Sequence, residues 1–238
     1  MLQKLNIHIF ADGADLQTID LMSRNPLIKG FTTNPTLMKK AGITDYKTFA
    51  LDALKIVKDR PFSFEVFADD FLTMKKQALE IAGWGENVNV KIPITNTKGE
   101  TAADLIYELS SLGVKLNITA ILTEEQVKIA NKCLNPKTFS IISIFAGRIA
   151  DTGIDPFPII KNSVNLVNSS SKSKIIWASP REILNIFQAN DAGCHIITVT
   201  SDILNKMTLI GKDLEVFSLE TVSMFYNDAV QSNFNIQT

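Results

Sequence analysis

The chain has 238 residues, 45% of them apolar, and a formal net charge of −1 at pH 7. This is ample material for a core, and it excludes the basic balance that nucleic acid or an anionic membrane surface would attract. Cys133 and Cys194 form neither a metal spacing nor a disulfide framework, Lys4, Asn6 and His8 interrupt any signal-like apolar start, and no apolar run approaches the roughly 18 residues of a membrane span, so a cytoplasmic protein is expected.

Strand and helix patterns alternate along the chain. A first strand is expected at 6–11 (NIHIFA), running into Asp12, and a second at 28–33 (IKGFTT), running into Asn34. Helical spacing follows in 45–60 (DYKTFALDALKIVKDR), then a strand at 63–68 (SFEVFA) that carries Glu65. The stretch 87–93 (NVNVKIP) is the most informative. Val88, Val90, Ile92 and Ile94 share one face, and Asn87, Asn89, Lys91 and Thr95 share the other, so a buried strand carries an ammonium group. A helix over 101–113 (TAADLIYELSSLG) ends at Gly113 as a C-cap. The strand 114–118 (VKLNI) carries Asn117 and leads to Thr119, and Thr123 caps a helix over 123–134 with Glu124 and Glu125 in its first turn.

A strand at 139–144 (FSIISI) carries Ser143 and leads past Phe145 to Arg148. The polar run 168–174 (NSSSKSK) reads as a surface loop, followed by a strand at 174–178 (KIIWA). In SPREILNIFQAN (179–190), Ser179 is the expected N-cap and Pro180 the first helical residue. The last strand is expected at 196–199 (IITV). Beyond it, 214–227 (LEVFSLETVSMFYN) forms an amphipathic helix with Leu214, Phe217, Val222 and Phe225 on its apolar face. Closing the side of the fold is the simpler role for it; covering a neighbouring subunit is the alternative.

Eight strand–helix alternations in a chain of this length predict a (β/α)8 barrel, one domain over 1–238 with 212–238 as a C-terminal helical tail. An open doubly wound sheet is the competitor, but FADGADLQ lacks its Gly-rich first turn. Barrel sites lie at the C-terminal strand ends. Here those ends carry Asp12, Asn34, Glu65, Lys91, Asn117, Thr119, Ser143, Arg148, Ser179 and Arg181, while the opposite parity is mostly apolar. A barrel interior accommodates the polar face of the Lys91 strand. A lysine in dry surroundings gives up its proton more readily than one in water, and a neutral amine attacks carbonyls to form a Schiff base. Asp12 and Glu65 are available to move protons. The structural alternative is a lysine that merely pairs with Glu65 or Asp12. Ser179 at a helix start, with Arg148 and Arg181, makes an anion site and points to a phosphorylated substrate. His8 and His195 read as packed histidines.

FTTNPT, VKIPIT, NITAI, SIFAGRIAD and ASPRE, in that order, resemble the transaldolase family, in the short branch that also holds the fructose-6-phosphate aldolases. The resemblance runs over nearly the whole chain. It implies that Lys91 is the Schiff-base lysine and that Asp12 takes the proton from the substrate's C4 hydroxyl. Glu65 would work through a water ordered by Thr119. Asn34 and Asn117 would hold substrate hydroxyls, Ser143 would make another contact to the three-carbon unit, Phe145 would line the substrate site, and Arg148, Ser179 and Arg181 would hold the phosphate. No metal or organic cofactor is implied. The resemblance further implies phosphorylated sugars of the pentose phosphate pathway as partners and a homo-oligomer, a ring of five or a pair of such rings. The aldolases resemble one another in having glutamine at the Glu65 position and tyrosine at the Phe145 position, so this chain looks like the transferase side. A fructose-6-phosphate or dihydroxyacetone aldolase and a non-catalytic sugar-phosphate-binding barrel are the alternatives. Gly13 after Asp12 and Pro180 after Ser179 depart from the family pattern.

Overall fold

The computed structural model describes residues 5–168 and 172–236. Its strands are β1 (His8–Asp12), β2 (Ile28–Thr32), β3 (Phe62–Glu65), β4 (Val88–Pro93), β5 (Leu116–Ile121), β6 (Ser140–Ile144), β7 (Ser173–Trp177) and β8 (Ile196–Thr200). All pair in parallel in sequence order, and β8 pairs back onto β1, so the sheet is a closed barrel rather than an open one. Residues 169–171 of the expected loop at 168–174 lie outside the described residues.

Eleven α-helices are described, with a short 3-10 helix (Lys206–Leu209) after the tenth: α1 (Leu16–Ser23), α2 (Pro35–Lys40), α3 (Tyr46–Ile56), α4 (Phe71–Ala82), α5 (Ala103–Ser111), α6 (Glu124–Cys133), α7 (Ala146–Ala150), α8 (Phe157–Asn168), α9 (Leu184–Asp191), α10 (Ser201–Asn205) and α11 (Leu214–Gln231). Their ends follow local chemistry. Thr123 and Gln126 form a reciprocal capping box at the start of α6, a device worth about 1 kcal/mol. Gly113, at φ 84°, takes the left-handed position that ends α5.

The two strand faces separate cleanly. Ile9, Val88, Val90, Ile92, Ile142, Ile175 and Val199 join the apolar layer between sheet and helices. The opposite parity fills the barrel. Its lower half is an apolar plug of Phe10, Ile141, Ile176 and Ile196. Gly30 is required there, because a Cβ on it would stand 2.5 Å from the Phe10 ring. Above the plug the interior turns polar, and Lys91 is buried within it.

Three expectations are corrected. The tail helix α11 does not close the barrel's side: it buries no residue, and its apolar side chains stand open, from Phe217 at 41% exposed to Leu214 at 80%. Ser179 is not an N-cap, since α9 begins five residues later at Leu184. Ser179 instead takes φ 61°, outside the N-cap range, because the chain leaving β7 crosses directly over α7. His8 is exposed rather than packed. His195 is half-buried, and its Nδ1 accepts the Ile175 N–H at 3.1 Å.

Candidate active site

A pocket of about 540 Å³ opens at the C-terminal end of the barrel. Asp12, Asn34, Glu65, Lys91, Asn117, Thr119, Ser143, Phe145, Arg148, Ser179 and Arg181 all line it. One mouth thus brings together every site residue expected from the sequence.

Lys91 reaches up from the middle of β4. Its Nζ lies 2.9 Å from Glu65 Oε2, and it donates to the Thr33 carbonyl at 3.0 Å. The pairing with Glu65 expected of a structural lysine is therefore present, yet the pair faces the pocket. A proton can pass directly between the two side chains. The register Glu65↔Lys91 on adjacent strands produces the contact.

Asp12 ends β1. Burial pushes its carboxyl above the ordinary carboxylate range; the Lys91 charge and the Thr32 hydroxyl pull the other way, and the Glu65 charge adds to the rise. Thr32 Oγ1 donates to Asp12 Oδ1 at 2.7 Å. Such a carboxylate takes up a proton more readily than one in water, which suits a base.

The polar wall from β3 to β6 is a chain of side chains. Asn117 donates to Ser63 Oγ at 3.0 Å and accepts from Ser143 Oγ at 2.7 Å. Asn117 is thereby fixed in orientation. The Thr119 hydroxyl is buried and makes no hydrogen bond within the described residues. Next to it, Ala120 takes φ 60° where the β5–β6 register shifts, so a bulge turns the strand at the pocket edge. Asn34 caps α2, accepting the Leu37 N–H at 3.0 Å, which leaves its amide donors for the pocket.

The other side of the mouth is cationic. The Arg148 guanidinium stands 5.7 Å from the Phe145 ring centroid. Arg181 is paired with Asp151: its Nε donates at 3.0 Å and its Nη2 also contacts the carboxylate, which holds the Asp151 carboxyl below its usual range. Gly147 sits under Ser179 so closely that an added Cβ would lie 1.5 Å from the Ser179 carbonyl oxygen. The place expected for an anion therefore has no α9 terminus beside it; two guanidinium groups and the Ser179 side chain line the pocket there.

Sequence reasoning missed five residues that line this mouth or contact residues that line it. Tyr46 on α3 brackets Glu65, accepting its N–H at 2.8 Å and donating to its carbonyl at 3.0 Å where the β2–β3 ladder has already ended. Asp151 orients Arg181, Lys40 lines the rim, and Thr32 and Thr198 bond each other at 2.5 Å beside Asp12. Thr32 sat in a quoted motif and Thr198 in a predicted strand at interior parity; Tyr46 gave no sequence signal. Among the described residues no group of three or more His, Cys, Asp or Glu side chains is placed to hold a metal ion, and no helix is long and apolar enough to cross a membrane.

Residues 9–237 match the model of the Transaldolase/Fructose-6-phosphate aldolase family. A Dehalococcoides mccartyi protein named "Probable transaldolase" is 34% identical over 202 residues, covering 84% of this chain and 90% of its own. A Listeria monocytogenes protein named "Probable transaldolase 2" is 34% identical over 212 residues, covering 87% and 93%. Among solved structures, a Burkholderia cenocepacia protein described as a "putative lyase/mutase" superposes with a TM-score of 0.60 at 13% identity, over 88% of this chain and 84% of that one, and shares the fold alone. The chain belongs to the transaldolase/fructose-6-phosphate aldolase family.

Proposed function

We propose that the protein is a transaldolase, moving a dihydroxyacetone unit from a ketose phosphate, such as fructose 6-phosphate or sedoheptulose 7-phosphate, to an aldose phosphate. The observation that carries the reading is the Lys91–Glu65 contact of 2.9 Å in a pocket that Asp12 also lines. Glu65 takes the ammonium proton, and the freed amine attacks the C2 ketone. Loss of water, with Glu65 returning the proton, gives an iminium. Asp12 removes the C4 hydroxyl proton, the C3–C4 bond breaks, and its electrons pass into the iminium to make an enamine. The first aldose phosphate leaves with its new carbonyl. An incoming aldose is attacked by the enamine as Asp12 returns its proton, and water then releases the product from Lys91.

The buried Thr119 hydroxyl is suited to hold the water that Glu65 activates. Asn34, Asn117 and Ser143 hold substrate hydroxyls, and Arg148, Ser179 and Arg181 hold the phosphate. The Phe145 ring keeps the enamine dry, which favours waiting for an aldose over release of free dihydroxyacetone. An assembly of identical subunits, five or ten by the family resemblance, is supported by the open apolar side chains of α11. Light scattering tests that part, and an active monomer overturns it. Cytoplasmic location and action on pentose-phosphate sugars belong to the same reading.

Incubation with fructose 6-phosphate and borohydride, followed by intact mass and peptide mapping, tests the mechanism. A three-carbon adduct on Lys91 is the expected result. Its absence, with fructose 6-phosphate shown to bind, overturns the Schiff-base reading. Free dihydroxyacetone formed without an acceptor marks the aldolase; turnover that needs an aldose phosphate marks the transferase.

A further inference from the structure

The geometry points to Thr198 as a positioning residue: with Thr32 it holds Asp12 so that Oδ2 alone takes and returns the substrate proton. This rests on the reading of Asp12 as the base. Thr32 Oγ1 is 2.7 Å from Asp12 Oδ1 and 2.5 Å from Thr198 Oγ1. A hydroxyl carries one proton. If Thr32 donates to the carboxylate, its bond with Thr198 requires Thr198 to donate. The chain of donors therefore runs in one direction, from β8 to β2 to β1, and it occupies Oδ1. Both threonines are buried, at 4% and 7% exposed, and both line the pocket. They stand above the apolar plug of Phe10, Ile141, Ile176 and Ile196, which offers Asp12 no other donor from below. Oδ2 is left for the substrate.

The charged groups facing Asp12 are Lys91 on β4 and Glu65 on β3, with Lys40, Arg148 and Arg181 farther out on the pocket lining. On its outer side, among the described residues, the small cleft toward α1 and α10 is lined by no other ionisable side chain. Among the described residues, the hydroxyl chain is thus the neutral side-chain support for the ionised form of this carboxylate, acting against its burial. Donors in series polarise one another, so removing the far hydroxyl weakens the near one.

The test is the pH profile of kcat for the full-length protein, with fructose 6-phosphate as donor and an aldose phosphate as acceptor. Thr198→Val and Thr198→Ala lose the hydroxyl; Thr198→Ser keeps it. The expected result is a fall in kcat of about 3- to 10-fold in Val and Ala, with KM unchanged. The acid limb should move to higher pH in both, because the ionised form of Asp12 has lost support, and Ser should restore both quantities. The Ser and Ala variants differ by one oxygen, so their comparison stands even if Val fails to fold. Ser and Ala variants with the same acid limb overturn the proposal. Asp12→Asn separates the two levels. An inactive Asp12→Asn beside unshifted Thr198 variants overturns the positioning role alone; an Asp12→Asn enzyme that keeps its activity overturns the base assignment, and this proposal with it.

Discussion

The two sides of the barrel mouth are built differently. From β1 to β4, the side chains proposed to do chemistry project from strand positions inside the hydrogen-bonded ladder: Asp12 at the end of β1, Glu65 at the end of β3 and Lys91 within β4. From β6 to β7, the groups proposed to hold the phosphate come after the strands: Arg148 lies in the five-residue α7, and Ser179 and Arg181 lie on the irregular segment before α9. Reacting groups need orientation within fractions of an ångström, and a closed ladder gives it. An anion clamp needs charge and forked donors, and tolerates looser backbone. The difference predicts that substitutions on the first side act on kcat and those on the second on KM.

Lys91→Met should have the largest effect. It removes the nucleophile, so kcat should fall by roughly 10⁴-fold or more, with no borohydride-trapped adduct in the mass spectrum. Residual trapping would show that another amine carries the chemistry and would dissolve the contrast.

Asp12→Asn comes next, with an expected loss of ~10²- to 10⁴-fold in kcat and little change in KM. It carries a second signature. The folded chain holds the Asp12 proton above the ordinary value of 3.8. A carboxyl raised on folding adds stability below its ordinary value and loses it as pH rises through the raised one. Asp12→Asn escapes that loss, so its Tm at neutral pH should exceed the wild type, and the gap should close as pH falls toward 3.8. A constant gap across pH would mean the carboxyl is not raised.

Arg181→Ala should raise KM for a phosphorylated donor by roughly 10- to 100-fold while leaving kcat within a few-fold. An equal loss in kcat would place Arg181 with the chemistry and blur the division. The smallest catalytic effect is expected at α11. The double change Phe217→Glu and Phe225→Glu should leave kcat per chain within about twofold, since the helix is remote from the ladder chemistry. Light scattering should nevertheless report a smaller particle than the wild type.

The sequence reached far on the ladder side and less far elsewhere. Alternation within NVNVKIP assigns Lys91 to an interior face because strand period leaves no freedom once one face is apolar. The eight strands follow from the same logic, with ends displaced by up to three residues. Ser179–Pro180 carried the signal of a helix start, but tertiary approach decided otherwise: the chain must clear Gly147, and Ser179 turns left-handed to do so. The Arg181–Asp151 pair joins residues 30 apart that no local pattern connects. The apolar residues of α11 were legible, but amphipathicity says which residues want covering, not what covers them. Glu65–Lys91 was legible as a possibility, and only the register turned it into a distance.

The near-contact of Gly147 with Ser179 also joins two segments of the barrel mouth. Gly147 N–H donates to the Ala178 carbonyl at 3.3 Å, and Arg181 is tied to Asp151 across the same gap. The segment around α7 and the segment after β7 are therefore clasped at two points. The guanidinium groups of Arg148 and Arg181 are thereby mounted on one cross-linked patch of backbone rather than on two separate loops.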